Sequence, residues 1–169
     1  MPSRRIPLAV TVLVATALSG CGVMKSDADR VSNPLTPEQS KTQVMDAAHS
    51  IVATLNITVV EAVFWHASCN DQGDPPFRGR MRIAYPPAPS FAESDAQIAQ
   101  MVQQLRGAGW SSDPDFHSHG TSLTKDNVVA VFGPQNVSDP NRDIQIYGEC
   151  RDTTTTKDTK GPVQRVTVP

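Results

Sequence analysis

The chain is poor in cysteine and in aromatic residues, and it has no cluster of basic residues. Among its 169 residues are 3 Cys, 5% aromatic residues and a formal net charge of −2. Three cysteines at wide spacing exclude a disulfide-dense scaffold and a structural zinc site, which usually takes four ligands at close spacing. Without a stretch rich in Lys and Arg, we expect no nucleic-acid partner. Beyond residue 18, no apolar run approaches the about 20 residues that a transmembrane helix needs.

The first 21 residues have the pattern of an export signal. Arg4 and Arg5 precede an apolar run over residues 6–18, which is too short to span a bilayer. The run ends in Leu-Ser-Gly-Cys at residues 18–21, which matches the lipobox of bacterial lipoproteins. That resemblance implies removal of residues 1–20 as a signal peptide and a diacylglyceryl group, with acyl chains such as palmitate, on Cys21. We therefore expect a lipid-anchored protein on the extracytoplasmic face of the cell membrane.

The other two cysteines, Cys69 and Cys150, have only each other as an intramolecular partner. An exported compartment permits disulfides, so we expect a bridge between them; a pair of free thiols is the alternative. The bridge closes a loop of about 80 residues, for which the chain-entropy model gives about 4–5 kcal/mol of stabilisation.

Hydrophobic periodicity predicts one α+β domain over residues 36–150, after a flexible tether over residues 21–35. Two amphipathic helices are expected to pack on one face of an antiparallel sheet, in the order α-β-β-α-β-β-β. The first helix begins at the Thr36-Pro37-Glu38-Gln39 capping box and ends at Asn56. A second capping pattern places the next helix start at Ser94. The strands are expected at residues 57–69, 79–85, 121–124, 128–132 and 143–150.

Alternation along the first and last strands predicts which side chains are buried. Cys69 shares its face with Val63 and Trp65, and Cys150 shares its face with Ile144 and Ile146. We expect both cysteines on the buried side; if the first and last strands lie side by side, the bridge joins their ends. Residues 151–169 contain four consecutive threonines and few apolar residues, so we expect this tail to be disordered.

Two groups of side chains are candidates for chemistry. Asp113, Asp115, His117 and His119 place carboxylates and imidazoles at alternate positions of one loop. This loop is a weak candidate for a transition-metal site, and the alternative is an ordinary polar turn. Arginines occupy alternate positions at residues 78, 80 and 82 of a predicted strand. They form either a solvated strand face or a patch that binds anionic head groups or glycans. Neither a G-x-S-x-G elbow nor a Ser-x-x-Lys motif is present, and we expect no cofactor.

The lipobox, together with the segments at residues 63–69, 77–80, 105–110 and 148–150, resembles the mycobacterial lipoproteins of the LppA and LppB kind. That resemblance implies a cell-surface lipoprotein and carries over no catalytic residue. Two function classes stay open. The favoured one is a non-enzymatic binding module for an envelope protein, lipid or glycan. The alternative is an envelope hydrolase or metal-dependent enzyme that uses the loop with His117 and His119.

Overall fold

The computed structural model of the protein describes residues 26–112 and 116–169. Two helices lie on one face of a single seven-stranded antiparallel sheet, which confirms the predicted α+β class. The strand order across the sheet is β3-β4-β5-β6-β2-β1-β7. After a short 3-10 helix at Ala28–Arg30, the elements are α1 (Pro37–Leu55), β1 (Glu61–Ser68), β2 (Phe77–Tyr85), α2 (Phe91–Gly107), β3 (Ser111–Ser112), β4 (Thr121–Lys125), β5 (Val128–Phe132), β6 (Arg142–Tyr147) and β7 (Gln164–Arg165).

Helix α1 begins and ends where its sequence predicts. The Thr36 hydroxyl accepts a hydrogen bond from the Gln39 N–H, and the Gln39 side chain accepts one from the Thr36 N–H. This reciprocal pair satisfies two of the donors that every helix N-terminus leaves free. Asn56 ends the helix in the left-handed conformation, which asparagine tolerates better than most residues.

Helix α2 begins one turn before the predicted start. Its cap is Ser90, whose hydroxyl accepts from the Glu93 N–H at 3.2 Å, and the helix starts at Phe91. Ser94 lies inside the first turn and is fully buried. Ser90 and Glu93 form the same Ser-x-x-acid pattern as a capping box, so two overlapping signals were present and the earlier one determines the boundary.

One buried cluster joins the helices to the sheet. Its members come from the apolar stripe of each helix and from the alternate strand positions that face them. They include Val44, Ile51, Phe64, Met81, Ile83, Ile98, Leu105, Leu123, Phe132, Ile144 and Ile146. The sheet ends at both sides in strands of two residues, which leaves little unpaired strand edge.

Helix α1 comes unusually close to β2 at Gly79. The Gly79 N–H donates to the Ser40 hydroxyl at 2.7 Å, and both residues are buried. A Cβ atom at position 79 would lie 2.3 Å from the Ser40 carbonyl oxygen. Glycine is therefore required here because the helix backbone occupies the space of a side chain.

The disulfide between Cys69 and Cys150 is present, with the two Cα atoms 6.0 Å apart. The first and last predicted strands are not side by side, because β2 lies between β1 and β6. The bridge therefore spans the start of β2. The predicted face is wrong for the first strand. Phe64 is fully buried beneath the helices, whereas Trp65 is half-buried on the opposite face, where it pairs with Arg80 of β2.

The tail after Cys150 packs against the domain, in contrast to the disorder that its composition suggested. Asp152 is fully buried, and its backbone exchanges two hydrogen bonds with Phe77. Its carboxylate accepts hydrogen bonds from the N–H and hydroxyl groups of Thr154 and Thr155. The threonine run thus supplies the donors that a buried carboxylate needs. Further on, β7 pairs with β1, and Val168 enters the core.

The close approach at Gly79 gives a stability prediction. Gly79→Ala is expected to lower the free energy of unfolding by about 1–3 kcal/mol, because the added methyl group forces α1 away from β2. Gly107→Ala is the matched control. That position lies in a helix, and no atom is within 4 Å of the place its methyl group would take, so the change is expected to be neutral or stabilising by up to about 1 kcal/mol. Denaturant unfolding of both variants measures the difference, and equal stabilities would contradict the packing described here.

Candidate functional site

The sheet face opposite the two helices, which we call the open face, carries most of the charged strand side chains. On β2 it presents Arg78, Arg80 and Arg82, the three arginines that alternate in the sequence. On β1 and β6, the neighbours of β2, the same face presents one valine and several aromatic and polar residues. These are Val63, Trp65, Asp143, Gln145 and Tyr147. An antiparallel sheet covered by helices on one side leaves its other side for contact with solvent or a partner.

Arg80 lies between two aromatic side chains. Its Cζ atom is 5.0 Å from the centre of the Trp65 ring and 4.2 Å from that of Tyr147. One guanidinium nitrogen, Nη2, donates to the Tyr147 hydroxyl at 2.8 Å and to Gln145 Oε1 at 2.9 Å. The Tyr147 hydroxyl in turn donates to Gln145 Oε1 at 2.7 Å. The stacking and this triangle of hydrogen bonds hold the guanidinium in one orientation.

Arg82 has a different environment, because two carboxylates neutralise it. Its Nη2 lies 2.7 Å from Asp139 Oδ2, and its Nε lies 3.0 Å from Asp143 Oδ2. The Gln145 amide also approaches Asp143, at 3.4 Å. The open face thus carries one connected polar network that runs from the loop before β6 to the middle of β2.

Arg78 is the least satisfied of the three arginines. Its Cζ atom is 5.4 Å from the centre of the Tyr147 ring. Within the part of the chain that the structure describes, no carboxylate lies within 4 Å of its guanidinium. Burial lowers the pKa of Arg78 from its ordinary value, and the positive charge of Arg80 lowers it further.

A cleft of about 530 Å³ opens on this face beside Tyr147. Val131, Gln145 and Tyr147 contribute to it from the sheet. Its remaining lining comes from residues 116–120 on one side and residues 133–143 on the other. Phe116 packs edge-on against Tyr147, with ring centres 5.1 Å apart. The lining mixes aromatic, amide and carboxylate groups, and the volume lies within the range of sites that bind small ligands.

The two candidate histidines, His117 and His119, are exposed and line this cleft. Asp113 and Asp115, which complete the predicted metal motif, lie outside the described residues. Among residues 26–112 and 116–169, no group of three potential ligands is arranged to hold a metal ion. Ser118 donates its hydroxyl to the Gly120 carbonyl at 2.9 Å, so that hydrogen is committed to the loop itself.

A histidine–carboxylate pair that the sequence analysis missed lies on the helix side of the sheet. His66 Nδ1 is 3.9 Å from Asp152 Oδ2. Burial lowers the pKa of His66, and Asp152 offsets part of that effect. Burial alone would raise the pKa of Asp152, but its hydrogen bonds from Thr155 and Thr154 outweigh burial and lower it. The pair was missed because Asp152 belongs to the tail, where no contact with β1 was expected.

The predicted lipidation site, Cys21, lies outside the described residues. Over residues 26–112 and 116–169, neither helix combines the length and apolar character needed to cross a bilayer. The segment before α1 is tied to the tail: the Leu35 N–H donates to the Arg151 carbonyl at 2.8 Å, and the Arg151 guanidinium binds the Asn33 carbonyl.

Taken together, the fold and the open face define a small α+β domain with one disulfide and one sheet face left uncovered by helices. The family model described as "Putative lipoprotein LppJ" matches residues 36–168, and the chain belongs to this family. The "Putative lipoprotein LppJ" proteins of Mycobacterium tuberculosis strains CDC 1551 / Oshkosh and H37Rv are 31% identical over 166 residues, covering 89% of this chain and 87% of theirs. The Mycobacterium bovis protein of the same name matches equally well.

These comparisons support the expected kind of protein, a mycobacterial lipoprotein, but they do not confirm the LppA and LppB assignment. No solved structure matches the chain.

The pKa shift of His66 gives a pH prediction. Below about pH 6.5, the ordinary pKa of histidine, the unfolded chain takes up a proton at this position that the folded protein resists. Stability is therefore expected to fall as the pH drops through this range. Asp152 acts separately: its lowered pKa stabilises the fold above about pH 3.9, and this contribution is lost at lower pH.

His66→Gln is expected to flatten the fall in stability below about pH 6.5, as measured by denaturant unfolding at a series of pH values. His49→Gln, at an exposed position on α1, is the control and should keep the wild-type profile. A His66→Gln profile as steep as that of the wild type would show that another group controls this transition.

Proposed function

We propose that the protein is an envelope lipoprotein anchored through acylated Cys21 on the extracytoplasmic face of the membrane, and that it acts as a non-enzymatic binding module. The lipobox at residues 18–21 supports the anchor, and so does membership in a lipoprotein family. The disulfide is consistent with an oxidising compartment outside the cytoplasm. The ligand is an envelope protein, lipid or glycan.

The observation that carries the binding role is the cleft on the open face. Its polar groups are already oriented by one another: Arg82 holds Asp139 and Asp143, and Gln145 is held by Arg80 and Tyr147. Side chains fixed in this way lose little freedom when a ligand arrives, which favours binding. Within residues 116–120, the Ser118 hydroxyl donates to the Gly120 carbonyl and not to a histidine, so this part of the loop shows no histidine–serine pair that would favour the hydrolase alternative.

The anchor is tested by metabolic labelling with a tagged fatty acid. The wild-type protein is expected to take up the label and to sediment with membranes. Cys21→Ala is expected to do neither, because a thiol at this position is the acceptor for the diacylglyceryl group. The double variant Cys69→Ala/Cys150→Ala is the matched control and should remain labelled. Label on the Cys21→Ala protein would refute the anchor.

The binding role is tested by photo-crosslinking in whole cells. A photoreactive residue at Asn136, which is exposed at the rim of the cleft, is expected to capture an envelope component. The same residue at Ala53, which is exposed on α1, is the control and should capture none. Equal capture from both positions, or capture from Ala53 alone, would contradict a binding site on the open face.

A further inference from the structure

Two of the three β2 arginines on the open face have no counter-ion within the described part of the chain. Arg82 is bonded to Asp139 and Asp143, whereas no carboxylate lies within 4 Å of Arg78 or Arg80. All three residues are half-buried and belong to one strand. The presence or absence of a counter-ion therefore depends on the neighbours of each guanidinium and not on its degree of exposure.

The two guanidiniums without a counter-ion share one aromatic neighbour, Tyr147. Both stack on the Tyr147 ring, with Cζ atoms 5.4 Å and 4.2 Å from its centre. The Nε atom of each is buried and has no hydrogen-bond partner. Partly buried cations repel each other more strongly than cations in water do, and buried donors are normally satisfied. The protein thus places two like charges beside one aromatic ring and leaves part of their hydrogen-bonding capacity unused.

The remaining donors are available to a ligand. Both Nη nitrogens of Arg78 and the Nη1 nitrogen of Arg80 make no hydrogen bond within the described residues, and none of the three is buried. Trp65 and Tyr147 flank the Arg80 guanidinium and fix its plane. The oriented guanidinium of Arg80 and that of Arg78 together offer several N–H donors and two positive charges.

We propose that Arg78 and Arg80 form a binding site for a phosphate group. A tetrahedral phosphate has enough acceptor oxygens to take hydrogen bonds from both guanidiniums at once, and its negative charge relieves their repulsion. The phosphate belongs either to the head group of an anionic lipid or to a soluble phosphate compound. This assignment rests on the proposed binding function: neither arginine lines the cleft, but both guanidiniums lie over the ring of Tyr147, which does, so a ligand in the cleft could extend to them.

The test is a titration of the isotopically labelled protein followed by two-dimensional NMR of the arginine Nε–H groups. Inorganic phosphate is compared with sodium chloride at equal ionic strength. The Nε–H signals of Arg78 and Arg80 are expected to shift with phosphate and to saturate, while that of Arg82, whose Nε already binds Asp143, stays in place. An equal shift of all three signals would overturn the proposal, and so would the absence of binding to both phosphate and the anionic vesicles described below.

Variants then connect the signals to affinity. Arg80→Gln is expected to weaken phosphate binding at least about tenfold, the usual effect of losing a charge-assisted hydrogen bond. Arg165→Gln, at an exposed and ion-paired position on β7, is the control and should bind as the wild type does. Thermal unfolding checks that both variants are folded. Equal affinities in the two variants would refute the assignment.

Two further arms identify the source of the phosphate. Binding to phosphatidylcholine vesicles only when they contain phosphatidylglycerol, together with weak binding of inorganic phosphate, would identify a lipid head group; the converse would identify a soluble phosphate. A tetraglutamate peptide serves as a carboxylate ligand. If it shifts the arginine signals as strongly as phosphate or the anionic vesicles do, the site does not select phosphate and the proposal is overturned. If neither phosphate nor the vesicles bind while the photoreactive residue at position 136 still captures a partner, the phosphate site is refuted but the binding function is not.

Discussion

The strict alternation of side chains along β2 is the constraint on which the rest of the structure depends. Its odd-numbered residues, from Phe77 to Ile83, face the helices and are buried. Its even-numbered residues include the three arginines that form the open face. A slip of one residue would carry three guanidiniums into the core, at a cost that no packing there offsets. The contact between Gly79 and Ser40 fixes this register from the helix side, since only glycine fits under the α1 backbone.

The same strand is secured at its beginning by covalent and polar links. The disulfide between Cys69 and Cys150 joins the segments that follow β1 and β6, the two strands that flank β2. Immediately afterwards, Asp152 pairs with Phe77, the first residue of β2, and is itself held by Thr154 and Thr155. The tail is therefore part of the scaffold that positions the open face.

The sequence predicted the helices and the hairpin of β4 and β5, because each depends on signals a few residues long. The capping box at Thr36 and the chain reversal at Asn56 are of this kind. The sequence also predicted the cysteine pairing because, with Cys21 assigned to the lipid, only two cysteines remained. Strand order was not predictable, since antiparallel neighbours need not be consecutive in sequence, and β2 separates β1 from β6. The buried face of β1 was ambiguous because Phe64 and Trp65 are both large and apolar.

The candidate site was predictable only in part, for a related reason. The arginine alternation in β2 is visible in the sequence, and it correctly suggests one shared face. Which arginine is neutralised depends on Asp139 and Asp143, which lie far along the chain and arrive through the pairing of β2 with β6. The partnership of His66 with Asp152 likewise requires the tail to fold back onto the sheet.

The central claim is that Arg80 is fixed between Trp65 and Tyr147 on a face that the helices leave uncovered. Nuclear Overhauser effects from the Arg80 side chain to both rings test this arrangement most directly. The structure predicts cross-peaks to Trp65 and to Tyr147, with Arg80 methylene signals shifted upfield by the two rings. Arg80 resonances at random-coil positions, without contacts to either ring, would contradict it.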